Sequence, residues 1–238
     1  MAASKSQQMQ ELKDSGNEAV KAGNHTEAII HYTYALKLDP SQYQLYSNRS
    51  LAFLKLQQYY HALEDANKTI ELKPDWAKGY FRKAEVEFNA EQYEDALVSY
   101  RLAFQLEPQN STLLEAIKNT ARQIGRTRRI EMQIPWLGAA IGFVIGVLVV
   151  IGDHVVADAS VLSHPLLKIL VVLTMTGVGY GFARLYRYYI RIQRDSLLEP
   201  PVDLLGDEEK TERDDEKKTE EKHRSKASAR QRFKKGKR

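Results

Sequence analysis

Lys13 and Asn17 stand four residues apart in LKDSGN, and Lys78 and Arg82 stand four apart in AKGYFRKA. On a helix that spacing puts each pair on one face. Asn48, in LYSNRS, falls between the two pairs along the chain. All five are donors: Lys offers a point charge with three N–H groups, Asn an amide NH2, and Arg a planar fork that matches a carboxylate. A groove lined by such groups suits an anionic ligand, whose carboxylates are costly to desolvate unpaired. Other chemistry has little to work with. The chain has no cysteine, which removes disulfides, thiolate metal sites and cysteine nucleophiles. Its six histidines show no clustered ligand spacing, and its glycine-rich stretches are hydrophobic rather than phosphate-cradling. No catalytic residue, metal site or cofactor is expected, which leaves binding as the function class.

The elements that must position these side chains repeat with a fixed period. Ala28, Ala62 and Ala96 are 34 residues apart, as are Pro40, Pro74 and Pro108, within NHTEAIIHYTYALKLDP, QQYYHALEDANKTIELKP and EQYEDALVSYRLAFQLEP. A period of this length means stacked supersecondary units. Leu12, Ala19, Ala28, Ile29, Tyr32, Ala35 and Leu36 supply apolar positions at helical spacing, so each unit reads as two amphipathic helices. The alanines mark the close approach of the two helices, while Tyr32, Ile70 and Tyr100 fill the gaps between units. Each proline follows a second helix, which it can end but not continue. The pattern resembles the tetratricopeptide repeat, with three repeats over 9–110 after a polar lead at 1–8. Ser50 and Ala84 stand where the motif prefers the glycine seen at Gly16, and Ala66 replaces a bulky residue. The fold class expected is all-α. A further stripe of Leu113, Leu114, Ile117, Ala121 and Ile124 makes 111–130 a capping and juxtamembrane helix that covers the end of the solenoid.

The resemblance extends to the five donors. They match the carboxylate clamp of tetratricopeptide co-chaperones, in which two Lys, two Asn and one Arg on the first helices hold the C-terminal Glu-Glu-Val-Asp of heat-shock chaperones. It implies that Lys13, Asn17, Asn48, Lys78 and Arg82 bind the ligand's terminal carboxylates. Leu51, Leu54 and Phe81 would receive its apolar residues, and Lys55 would add a donor. The partners implied are the heat-shock chaperones of the 70 and 90 kilodalton classes.

The second half has a different composition. Residues 134–151, IPWLGAAIGFVIGVLVVI, carry no charge, and 166–183, LLKILVVLTMTGVGYGFA, carry only Lys168. Eighteen residues at 1.5 Å each span about 27 Å, enough for two transmembrane helices joined by a loop at 152–165. A hairpin dipping into one leaflet is the alternative. Arg122, Arg126, Arg128 and Arg129 precede the first span and Arg184, Arg187, Arg191 and Arg194 follow the second, while the loop carries Asp153 and Asp158 and no Lys or Arg. The positive-inside rule then sets both ends in the cytosol. Trp136, Tyr180 and Tyr186 fit as interface anchors. Gly138, Gly142 and Gly146 form one small-residue ridge and Gly177 and Gly181 another, expected to pack on each other or to serve a homo-oligomer or membrane partner.

The 184–238 tail is charged, acidic at 207–221 and basic after it, with anionic lipid or nucleic acid as candidate contacts for the basic end. Short spans favour the thin endoplasmic reticulum bilayer, with the mitochondrial outer membrane as alternative. The reading is a membrane-anchored docking receptor for chaperone C-termini. The competing reading is a membrane-complex scaffold whose groove holds another protein.

Overall fold

The computed structural model describes residues 2–156 and 164–200. Six helices come in three hairpins: α1 (Ala2–Lys21) with α2 (His25–Leu38), α3 (Tyr43–Lys55) with α4 (Tyr59–Leu72), and α5 (Ala77–Asn89) with α6 (Tyr93–Leu106). Two long helices follow, α7 (Ser111–Val156) and α8 (Pro165–Ser196). Among the described residues there is no strand.

The 34-residue period is written into the backbone as well as the side chains. The turn inside each hairpin contains one left-handed residue, Gly23 (φ 82°), Gln57 (φ 59°) and Glu91 (φ 61°). The next amide closes the same bond in each: Asn24 to the Ala19 carbonyl, Gln58 to Phe53 and Gln92 to Glu87, at 2.8, 3.0 and 2.8 Å. This six-to-one closure ends the first helix and satisfies one of its last carbonyls. The second helices stop at Leu38, Leu72 and Leu106, and Pro40, Pro74 and Pro108 follow two residues later.

Packing explains which residues the period fixes. Ala28, Ala62 and Ala96 are fully buried where paired helices meet. Gly16 faces Tyr32 so closely that an added Cβ would lie 2.6 Å from the ring. One period later both positions change, to Ser50 and the small Ala66, both buried, and the Ser50 hydroxyl donates to the Ala62 carbonyl at 2.7 Å. Within the second repeat Arg49 of α3 forks onto Asp65 of α4 with two bonds of 2.8 Å, and it reaches across to Thr33 of α2 in the first repeat at 3.0 Å. That pair is largely enclosed, so removing either partner would strand a buried charge.

The helix boundaries differ from the sequence expectation in four places, one of them the expected loop at 152–165, of which 152–156 belong to α7 and Pro165 starts α8. The polar lead 1–8 is not separate, because residues 2–8 extend α1. No Pro or Gly interrupts them, and Gln7–Glu11 and Gln10–Asp14 pair one turn apart. The capping helix and first apolar segment are one helix of 46 residues, running through Pro135. Proline removes the amide that would bond the Glu131 carbonyl. Arg187 of α8 replaces it, its Nη1 donating to that carbonyl at 3.0 Å. The second apolar helix continues past 183 to Ser196. Loop residues 157–163 and tail residues 201–238 lie outside the described residues.

Leu113, at the start of α7, is buried with Ala84, Ala96, Tyr100 and Ala103, so this helix covers the last repeat. Further along, α7 packs antiparallel on α8. Gly138 meets Gly179 and Ala183, Gly142 meets Met175 and Thr176, and Gly146 meets Val172 and Met175. The expected second ridge is not the contact. Gly177 and Gly181 have no neighbour within 4 Å of where a Cβ would stand, and Gly179 faces α7 instead. Two residues along a helix turn the face by about 200°, so a ridge through Gly177 and Gly181 points away from one through Gly179.

The left-handed turn residues generate a stability prediction. A side chain at positive φ is disfavoured, and glycine relieves it. Gln57→Gly should raise unfolding free energy by about 0.5–1 kcal/mol in denaturant titration, whereas the same change at Gln58, outside the left-handed region, should lower it.

Candidate functional site

The first helices of the three repeats, α1, α3 and α5, lie side by side, and the five donors sit on them. Those on α1 and α3 form one connected group. Lys13 Nζ donates to Gln44 Oε1 at 3.0 Å, and Asn48 Nδ2 donates to Asn17 Oδ1 at 3.1 Å. Both pairs are separated by 31 residues, so a single register of α1 against α3 makes both bonds. Asn17 Oδ1 also accepts from the Tyr32 hydroxyl at 2.9 Å. With its carbonyl held twice, the Asn17 amide leaves its NH2 for a ligand. Burial pushes the Tyr32 hydroxyl up to about 12, the Asn48 amide partly opposing that shift, so Tyr32 stays a neutral donor throughout the physiological range.

The second group centres on α5. Lys78 is exposed, its Nζ 5.7 Å from the centroid of the Trp76 ring, which meets Tyr43 edge-on. Arg82 is buried and ion-paired through Nη1 with Glu85 Oε2, one turn further along the same helix. Lys55 of α3 and Lys78 both act on the Glu85 charge. Burial is the larger effect and raises the Glu85 carboxyl above the ordinary range, against the pull of Arg82, Lys55 and Lys78.

The apolar residues divide differently from the expectation. Leu51 is half-buried beside the polar residues of α3. Phe81 packs against Tyr100, ring centroids 5.7 Å apart, and is partly open. Leu54 does not line the groove: it is buried in a cluster with Ala62 and Val86, because its helical position turns it toward α4 and α5. Lys55, beside it, is exposed.

Sequence reasoning missed four residues that shape the site: Gln44, Tyr32, Trp76 and Glu85. A signal existed for two of them. Gln44 shares with Asn48 the 31-residue offset from an α1 donor, and Glu85 lies three residues from Arg82, the spacing of a helical ion pair.

The arrangement defines a class: a tetratricopeptide repeat domain whose first-helix face presents amide and cationic donors. No protein-family model matches the chain. It is 38% identical over 119 residues to the Hsp70-Hsp90 organizing protein of Triticum aestivum, covering 50% of this chain and 20% of that protein. To the Hsp70-Hsp90 organising protein of Plasmodium falciparum it is 37% identical over 117 residues, 49% of this chain and 46% of that protein. The solved first tetratricopeptide domain of human RPAP3 aligns with a TM-score of 0.50 at 27% identity, over 51% of this chain and 96% of that domain. The repeat domain is therefore homologous to that of the organizing proteins. The chain spans about a fifth of the length of the wheat relative and under half of the Plasmodium one.

The Tyr32–Asn17–Asn48 network can be probed without a ligand. Tyr32→Phe should cost about 0.5–1.5 kcal/mol of stability, the worth of one hydrogen bond. Gly16→Ala should cost about 1–3 kcal/mol, because its methyl overlaps the Tyr32 ring. Urea unfolding measures both, and the combination Gly16→Ala with Tyr32→Leu should recover part of the loss.

Proposed function

We propose that this chain is a membrane-anchored docking receptor whose repeat groove binds the C-terminal carboxylates of heat-shock chaperones. The observation that carries the reading is the gathering of Lys13, Asn17 and Asn48 across α1 and α3 with Lys78 and Arg82 on α5. Two carboxylates on one terminal residue match this donor set, Asn17 and Asn48 supplying amides and the lysines and Arg82 supplying charge. Homology to organizing proteins named for Hsp70 and Hsp90 supports chaperones of these two classes as the source of that terminus.

The anchor is the α7–α8 hairpin. Both helices are long and apolar enough to cross a membrane by length and composition. Large side chains such as Trp136, Phe143, Leu148, Leu173 and Phe182 stand exposed on the hairpin, where lipid would cover them. Arginines flank both spans on the repeat-domain side, which favours a cytosolic groove and a short loop on the far side. We place the hairpin in the endoplasmic reticulum, whose thin bilayer suits spans of this length, ahead of the mitochondrial outer membrane.

Binding of a fluorescent peptide ending in Glu-Glu-Val-Asp to the full chain in detergent micelles tests the groove. Blocking the terminal carboxylate as an amide should abolish most of the affinity. Lys13→Ala or Lys78→Ala should weaken binding roughly tenfold to a hundredfold, the equivalent of one charge-assisted hydrogen bond at about 1.5–3 kcal/mol. Equal binding of free and blocked peptides rejects the groove reading. For the anchor, an N-glycosylation acceptor placed between residues 157 and 163 should be modified in endoplasmic reticulum microsomes, and recovery of the chain in an alkaline carbonate supernatant rejects membrane integration.

A further inference from the structure

The cation at the deep end of the groove already holds a carboxylate. The Arg82 side chain is 7% exposed and is paired with Glu85, itself 27% exposed. The charges facing Glu85 come from two helices, Arg82 and Lys78 on α5 and Lys55 on α3. Tyr100 of α6 lies close enough to feel both members of the pair, and burial keeps its hydroxyl protonated. Arg82 Nε is buried and has no hydrogen-bond partner among the described residues, so the guanidinium has unused donor capacity. An incoming anion therefore meets an arginine whose charge is already matched by a carboxylate at Nη1, and competes with Glu85 for it.

We infer that Glu85 is a built-in competitor and the specificity-determining residue of the groove: a ligand seats on Arg82 only by exchanging its own carboxylate for that of Glu85. The inference rests on the carboxylate-binding reading above. It explains how a strongly cationic pocket is kept closed between ligands, since an unpaired buried guanidinium would be costly. The exchange also has somewhere to send Glu85. Lys55 and Lys78 are both exposed and both act on its charge, so the displaced carboxylate keeps cationic company at the groove rim. A neutral terminus cannot drive the exchange, because it would leave Arg82 without a counter-charge. Glu85 therefore lowers affinity for every ligand but lowers it most for those lacking a carboxylate, which is how an opposing group sharpens discrimination.

The opposite role is a brace, in which Glu85 aims Arg82 at the ligand and stays in place. The two roles predict opposite signs. With the full chain in detergent micelles, the probe is the Glu-Glu-Val-Asp peptide, free or C-terminally amidated, against wild type, Glu85→Gln, Glu85→Ala, Arg82→Ala and the Glu85→Gln/Arg82→Ala double variant. Thermal unfolding of each confirms folding, and Glu85→Ala serves should Glu85→Gln misfold. Under exchange, Glu85→Gln tightens the free peptide on the order of tenfold. The ratio of free to amidated affinity then falls, and the tightening disappears in the Arg82→Ala background. If Glu85→Gln and Glu85→Ala bind the free peptide no better than wild type while wild type still rejects the amide, the exchange is overturned and the groove reading stands. If wild type does not distinguish the two peptides, the groove reading fails and takes the exchange with it.

Discussion

The close approach of paired helices at Ala28, Ala62 and Ala96 is the constraint on which the rest of this molecule depends. A methyl group at each crossing leaves no room for slippage, and a larger side chain would separate the helices. Because the crossing recurs every 34 residues, the first helices of successive repeats are held in one register. That register makes Lys13–Gln44 and Asn17–Asn48 equivalent contacts, 31 residues apart in both cases. The three cations among the donors would repel one another, so it is the packing of the core, helped by the neutral Asn17–Asn48 bond, that holds the set in place.

The two most enclosed arginines of the repeat domain differ in what holds them. Arg49 is bidentate on Asp65, bonded also to Thr33, and stacked near Tyr46 and Phe53. It has a full complement of partners across three helices, and it fastens repeats. Arg82 is more deeply buried, but its carboxylate comes from the next turn of its own helix, and its Nε is unpartnered. A pair within one helix fastens nothing to anything else. The difference in partners separates a structural ion pair from one that is available for exchange.

Much of this was legible in the sequence, and the exceptions have physical causes. The repeat boundaries, the alanine crossings and the cap formed by Leu113 follow from periodicity, which is a property of local spacing. Pro135 reads as a break, yet α7 passes through it because Arg187, 52 residues later, reaches the Glu131 carbonyl. No local rule reports a replacement donor from another helix. The choice of Gly179 over Gly177 and Gly181 is of the same kind: all three are small, and only the rotation of α8 about its axis decides which meets α7. Leu54 fails as a groove residue for a related reason, since α3 is buried on the side facing α4 and α5, and an apolar type at that position does not say which side it takes. Glu85 was legible in principle. Its carboxylate resembles the ligand rather than a group that attracts one, so a search for donors does not pick it out.

The hairpin is tied to the repeat domain at more points than a tether needs. The chain enters α7 as the solenoid cap and leaves α8 back at the repeats, where Leu198 packs on the cluster of Leu54, Ala62 and Val86. Between these ends Glu131 gathers Arg187 through its carbonyl and Arg191 and Arg194 through its carboxylate, and Arg194 also pairs with Glu91 in the turn of the third repeat. Gln92, the next residue, donates to Asp195 at 2.9 Å. Singly, such exposed pairs contribute little. Together with the apolar contact of Leu198 they join α7 and α8 to the second and third repeats. Two neighbours on α3 take different sides: Lys55 is exposed and acts on the charge of Glu85, while Leu54 is buried in the cluster that receives Leu198. The same helix, α3, therefore carries an exposed cation on one side and the seat of the returning chain on the other, so a change in how the α7–α8 hairpin docks would be felt at the first-helix face by way of α3.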